Sequence, residues 1–228
     1  MPTLFLSNRR TDLTEYMDDP QCDLAMLNET YRQFETVNGL ISGWKRVYKR
    51  YIRPQLRDGA TILDVGCGGG DLLIRLAKWA EADGFSVQIT GIEPDQRAID
   101  YLQSIELPEN VTVLRKMTSD LVAEGLVFDV VLSNHVLHHL TKSELTAFLE
   151  DTRKLAKGLT LHNDIRRDDL AYVGFIPGKL FFRNSFIIPD GLRSIRRSYR
   201  ADELRQAVPD SWTVKRLPLF RNLLCWRP

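Results

Sequence analysis

The stretch Asp64-Val-Gly66-Cys-Gly68-Gly-Gly70-Asp71 sets two carboxylates around a run of glycines, and a further acid, Glu93, follows the next apolar segment. Glycines in such a run take up positive φ and let a ligand come close to the backbone. Charge decides which ligand. A dinucleotide fingerprint needs glycine at three places spaced G-x-G-x-x-G, with a pyrophosphate on the helix N-terminus. Gly66 and Gly68 fit the first two places, but Asp71 holds the third. Two carboxylates beside a pyrophosphate would each repel it by roughly a kcal/mol or more. A cationic ligand without phosphate suits this turn better. The second reactive set is histidine: His135, His138, His139 and His162 are the only four in the chain. Histidine titrates near neutral pH, so this concentration suits proton removal, with His135, His139 and His162 as candidate bases. No acid or cysteine sits at ligand spacing from them in the sequence, so no metal site is expected.

These residues need elements to hold them. Ile62, Leu63 and Val65 read as an inner parallel strand, and Asp71 caps a helix whose apolar face is Leu72, Leu73, Leu76, Ala77 and Ala80. Residues 86–92 read as a second strand with Glu93 at its carboxyl end, where a Rossmann-type sheet uses an acid to accept hydrogen bonds from ribose hydroxyls. Asp95 then caps the next helix, and 111–114 is a third strand. Val130, Val131 and Leu132 form a fourth, from whose end Ser133, Asn134 and His135 enter the crevice of an open α/β sheet. Thr141 and Glu144 make a capping box for the following helix. Residues 158–164 read as a fifth strand that leaves His162, Asn163 and Asp164 at the crevice. A helix over 199–208 stops at Pro209, and 212–217 and 219–226 are closing strands. Ahead of all this, helical spacing predicts one helix from about Cys22 to Asn38-Gly39 and another from Trp44 to Ile52.

From its acid through its glycines the chain resembles the class I S-adenosylmethionine-dependent methyltransferases. Their first motif is an acid followed by G-x-G-x-G, and Asp64-Val-Gly66-Cys-Gly68-Gly-Gly70 matches it. S-adenosylmethionine carries an ammonium and a sulfonium and no phosphate, which is the charge this turn favours. Glu93 matches the second motif of the family. Asn134-His-Val-Leu-His-His-Leu140 resembles the fourth motif of members acting on quinones and phenols, and departs from the Asn-Pro-Pro-Tyr type used on base or amide nitrogens. Together with Leu161-His-Asn-Asp-Ile-Arg-Arg167, it also resembles the bacterial methyltransferases found with phenolic-lipid polyketide synthases. The resemblance implies an α/β, Rossmann-like, seven-stranded, mostly parallel sheet with helices on both faces and an antiparallel closing strand. It implies S-adenosyl-L-methionine as cofactor, bound by Asp64, Gly66, Gly68, Glu93 and Asn134. Asp120 falls where relatives place an acid near the adenine amino group; alternatively it caps a turn.

The family pattern covers 57–228, and 1–56 read as an N-terminal helical cap. The basic face Lys45, Arg46, Lys49, Arg50 and Arg53 is either solvated or grips the cofactor carboxylate. At about 165–199 the strand–helix alternation breaks into apolar residues mixed with arginines, Pro177, Gly178, Pro189 and Gly191. Relatives build a substrate lid there, and its apolar content points to a greasy or aromatic acceptor; the other reading is a core-packing excursion. Arg193, Arg196, Arg197 and Arg200 are an anion site or a solvated basic stretch. The 228 residues carry a net charge of +1, which gives no field for nucleic acid, and the three cysteines form no disulfide framework. The apolar run at 4–6 is too short for a signal peptide and nothing is long enough to span a bilayer, so a cytoplasmic enzyme is expected. The function expected is methyl transfer to a small apolar aromatic acceptor. The alternatives are a methyltransferase acting on RNA or protein, and a non-catalytic cofactor-binding module.

Overall fold

The computed structural model describes residues 5–228; Leu4, the first residue of the apolar run at 4–6, lies outside them. Seven strands form one sheet in the order β3-β2-β1-β4-β5-β7-β6. They are β1 (Ala60–Val65), β2 (Val87–Ile92), β3 (Val111–Leu114), β4 (Phe128–Asn134), β5 (Ala156–Ile165), β6 (Thr213–Leu217) and β7 (Arg221–Trp226). The first five run parallel, and β7 pairs antiparallel with both β5 and β6. The Rossmann-like α/β sheet with its closing antiparallel strand is therefore as expected.

Side chains alternate across a strand, and both faces of this sheet are covered. Ile62, Val130, Leu132 and Leu161 pack on one side with Leu73 and Leu76 of α3 (Asp71–Ala82). Leu63, Val65 and Val131 pack on the other with Leu121 of α5 (Thr118–Ala123) and Leu155 of α6 (Lys142–Leu155). Between β2 and β3 runs α4 (Gln96–Gln103), whose N-cap Asp95 accepts from the Arg97 backbone N–H. The Thr141–Glu144 capping box opens α6. The order of strands reverses between β1 and β4, where connections leave to opposite faces, so the crevice lies at their carboxyl ends.

The N-terminal part lies over that crevice. The first long helix, α1, spans Leu24–Ile41 and runs through Gly39; the break comes at Gly43, which has φ +71. After the short α2 (Trp44–Val47) the backbone continues as a π turn and a 3-10 turn to Gln55, so Pro54 sits inside a tight turn instead of ending a helix. The stretch 165–199 is largely helical. It contains α7 (Asp169–Phe175), a 3-10 turn over Ile176–Leu180, and α8 (Ile187–Arg197). Pro189 is accommodated because it falls in the first turn of α8, where backbone N–H groups have no helical partner. Gly191 is in the helix body, and a Cβ there would strike the Phe175 ring. Finally α9 (Ala201–Ala207) leads into β6.

Residues 5–22 strap α7 and α8 to the sheet. The Leu6 backbone N–H donates to Asp169 Oδ1 at 2.9 Å, and buried Arg167 donates to the carbonyls of Leu6 and Ser7. Asp190 of α8 accepts the backbone N–H groups of Tyr16 and Met17 at 2.7 and 2.9 Å. No helix among the described residues is long and apolar enough to cross a membrane.

Candidate functional site

A cavity of about 690 Å³ opens at the carboxyl ends of β1 and β4, roofed by α1, α7 and α8. That lies in the upper half of the ~300–1,000 Å³ typical of ligand sites, with room for more than one small molecule. One end is acidic. Asp64, at the end of β1, is 1% exposed, and its Oδ1 has no hydrogen-bond partner. Burial raises its pKa well above the usual carboxylate range, and Asp71 and Glu93 raise it further. Every charge acting on Asp64 is thus another carboxylate. Glu93 accepts the Gly68 backbone N–H at 3.0 Å through Oε2 and that of Asp95 at 3.1 Å through Oε1. Burial raises the Glu93 pKa as well, against the pull of those two bonds. A carboxylate has about four acceptor positions, so Glu93 keeps some for a ligand.

The glycine turn is shaped by what lies on each side of it. Gly68 has φ +50 and faces open space, so a ligand can reach its backbone. Gly69 is pressed by Tyr31 of α1, and a Cβ there would lie 2.7 Å from Tyr31 Cβ. That contact, with the bonds from Asn38 Nδ2 to both Asp71 carboxylate oxygens (3.3 and 3.1 Å), fixes α1 over the turn. Burial lifts the Asp71 pKa to about 6 despite Asn38 and Arg75. Lys45, Arg46, Lys49, Arg50 and Arg53 are exposed and away from the cavity, so the basic face is a solvated surface. Helix α1 meets the glycine turn through neutral Tyr31 and Asn38, which no local motif singled out.

Asp120 is exposed and outside the cavity; its Oδ2 accepts the Met117 backbone N–H at 2.8 Å. It caps α5, and Met117 and Thr118 line the cavity in its place. Asn134 does line the cavity, with its Oδ1 accepting from Arg221 Nη2 at 2.8 Å.

The histidines separate into different environments. His162 is fully buried on β5, inside the sheet between β4 and β7, its Nδ1 2.8 Å from Ser133 Oγ and its Nε2 3.3 Å from Thr152 Oγ1. It stacks on Trp212 and does not line the cavity, and burial lowers its pKa to about 3. His162 is therefore a packing residue: it stands in register beside Ser133, and its ring lies between Phe148 and Trp212. His135 lines the cavity at φ +62, a strained conformation for a non-glycine residue. Its Nε2 lies 2.9 Å from Nη1 of Arg221, and burial together with that cation holds its pKa well below the ordinary value.

His138 and His139 sit with carboxylates that only folding supplies. His138 Nδ1 is 2.7 Å from Asp164 Oδ1, and its Nε2 is 3.2 Å from Glu15 Oε1. Burial alone would lower its pKa, but Asp164 and Glu15 outweigh that and raise it to about 9. In turn the two imidazoles, with Ser194, outweigh burial at Glu15 and bring it down to about 2. His139, with a ring about one-third exposed, has Asp18 Oδ2 3.3 Å from Nδ1 and Glu15 Oε1 3.8 Å from Nε2. Glu15, Asp18, His138 and His139 all line the cavity. Arg193 and Arg197 form no anion site: Arg193 stacks on Tyr16 and Arg197 lies 3.7 Å from Asp18.

The profile of the family described as "Methyltransferase domain" matches residues 62–158, which contain the glycine turn, Glu93 and the four residues Asn134, His135, His138 and His139. That match agrees with the resemblance of the Asp64–Gly70 turn and Glu93 to the class I S-adenosylmethionine-dependent methyltransferases. The family's cofactor is S-adenosylmethionine. Among relatives of the chain, (S)-tetrahydroprotoberberine N-methyltransferase of Eschscholzia californica is 24% identical over 77% of the chain and 50% of that protein. The ubiquinone biosynthesis O-methyltransferase of Roseobacter denitrificans is 28% identical over 71% of the chain and 69% of that protein. The matched stretch thus spans between half and about two thirds of these relatives' length. The fold is shared with the plantazolicin methyltransferase BpumL in complex with SAH, at TM-score 0.65, 13% identity and coverage of 93% and 92% of the two chains. It is shared too with a SAM dependent methyltransferase from Aquifex aeolicus, at TM-score 0.56, 19% identity and coverage of 90% and 98%.

Proposed function

We propose that this methyltransferase moves a methyl group from S-adenosylmethionine to a small, apolar aromatic acceptor of phenolic or quinone-like type. The observation that carries the reading is the buried Asp64 carboxylate, whose Oδ1 is unpartnered at the acidic end of the cavity. An uncompensated buried carboxylate is costly, and a ligand bringing its own cation removes that cost. The donor set fits the cofactor: Asp64 and Asp71 for the ammonium, Glu93 for the ribose hydroxyls, the Gly66 and Gly68 backbone for close approach. Met117 and Thr118 lie on the Glu93 side, where the base would rest.

When bound, S-adenosylmethionine supplies a methyl group already activated by its sulfonium. What remains for the protein is alignment, exclusion of water and removal of a proton when the acceptor is a hydroxyl. Alignment is worth several kcal/mol of the barrier, roughly 7–11 at best, and a general base about a hundredfold or more. Phe34, Phe148, Phe175, Ile187, Ile195 and Phe220 also line the cavity, and such apolar walls suit an apolar ring and exclude water. Arg221 is an obligate donor, so His135 Nε2 must carry the lone pair and Nδ1 the proton. His135 is therefore a hydrogen-bond donor and not a base. His139 remains: its partly exposed ring lines the cavity, with Asp18 Oδ2 3.3 Å from Nδ1 and Glu15 Oε1 3.8 Å from Nε2. The ubiquinone-pathway O-methyltransferases among the relatives support an acceptor of this class.

The purified chain should bind S-adenosylmethionine by calorimetry and convert it to S-adenosylhomocysteine when offered hydroxylated aromatics of increasing alkyl length. Failure to bind it, or saturable binding of a nicotinamide or flavin dinucleotide in its place, would overturn the reading.

A further inference from the structure

The sequence offers the histidines no ligand partner, but the strap brings Glu15 to them from 123 residues away. Glu15 Oε1, His138 Nε2 and His139 Nε2 face one another at 3.2 and 3.8 Å from the carboxylate, and one ligand atom from each residue lies within 4.8 Å of the others. A tetrahedral ion with bonds of roughly 2.0–2.1 Å separates its ligands by about 3.4 Å, which these distances bracket. Each element of the cluster is also held from behind. Asp164 takes His138 Nδ1 at 2.7 Å, Asp18 approaches His139 Nδ1 at 3.3 Å, and the Ser194 hydroxyl donates to Glu15 Oε1 at 2.7 Å. A carboxylate behind each imidazole fixes the ring and raises its basicity, as around metal-ligating histidines.

We infer that Glu15, His138 and His139 form a binding site for one divalent transition metal ion of the zinc type, with its remaining position open to the cavity. Two imidazoles and one carboxylate are the donors such ions prefer, whereas magnesium and calcium take all-oxygen sets. Three carboxylates (Glu15, Asp18, Asp164) face two imidazoles and the Arg197 guanidinium, 3.7 Å from Asp18, so the cluster is negative when the rings are neutral, and a dication offsets that charge. The ion displaces the proton from His138 Nε2, so binding releases protons. The inference rests on the proposed reaction only for its consequence: an acceptor hydroxyl reaching the open position is acidified by the ion, and the His139 ring is then a ligand instead of a free base.

The test is titration of the chelator-stripped full chain with zinc and with cobalt(II), followed by calorimetry and by visible ligand-field absorption. One ion per chain should bind saturably, with heat that varies with the buffer's ionisation enthalpy. Glu15→Gln and His139→Asn should each weaken binding by about tenfold or more. His139 is partly exposed, so its variant keeps the test valid if Glu15→Gln fails to fold. No saturable binding by the folded chain, or equal binding by the folded variants, overturns the site. S-adenosylmethionine binding measured on the same stripped protein separates the two claims. Cofactor binding without metal binding removes only the ion; metal binding without cofactor binding removes only the methyl-transfer reading.

Discussion

Nη1 of Arg221 lies 2.9 Å from Nε2 of His135, and the same guanidinium donates to the side-chain oxygens of Asn134 and Asn163. One buried cation therefore sets the tautomer of a cavity-lining histidine and ties the ends of β4, β5 and β7 together. Burial lowers the Arg221 pKa to about 10, so it stays charged at neutral pH. His135→Ala should leave the acid limb of the kcat–pH profile in place, because burial and Arg221 hold the His135 pKa well below the ordinary value. Loss of the limb in His135→Ala would reassign the base. Arg221→Met strands several buried acceptors at about 1–3 kcal/mol each, and denaturant unfolding should register a loss of about 3 kcal/mol or more.

Asp64→Asn should separate binding from folding. The cofactor ammonium loses a charged partner, and hydrogen bonds to charged groups contribute about 1.5–3 kcal/mol, so affinity should fall by about tenfold to a hundredfold. The ligand-free protein should melt no lower than wild type, because the carboxylate lost is a buried one surrounded by like charge. Calorimetry and thermal melts of the same sample check both halves.

Asp71 has a pKa raised to about 6, chiefly by burial, so the folded state holds this proton more tightly than the unfolded chain does. Its stabilising contribution is complete below the unfolded value and disappears as pH rises to about 6; above that the charged form is a net penalty. Asp71→Asn should accordingly raise Tm relative to wild type at pH 7.5, and the gap should close as pH approaches 4. A gap that stays constant with pH would show that the carboxyl is not buried in solution.

His138 runs the other way. Although burial disfavours its charge, Asp164 and Glu15 raise its pKa to about 9, so the folded state again holds the proton more tightly. That stability is fully present below the unfolded histidine value near 6.5 and is lost as pH rises through about 9. Wild-type Tm, measured metal-free, should decline over this window, and the decline should be shallower in His138→Gln. Zinc should flatten the wild-type profile, since the ion replaces the proton.

Much of this molecule is legible in local pattern. Strand–turn–helix periodicity around Asp64–Asp71 identifies β1 and α3, and the ends of β2 and β4 follow from apolar runs that stop at Glu93 and Asn134. These features are local because strand alternation and helix caps depend on neighbours a few residues apart. The negative turn that selects a cationic nucleoside is likewise written in consecutive residues. What tertiary structure alone decides is which long-range partners meet. His162 and His138 read alike in sequence, yet strand register turns one to Ser133 and Trp212, while the strap and β5 give the other Glu15 and Asp164. The role of a histidine is set by the charges and solvent within a few ångströms of its ring, and here those come from 26 and 123 residues away in the chain. No spacing rule along the sequence reports that distance.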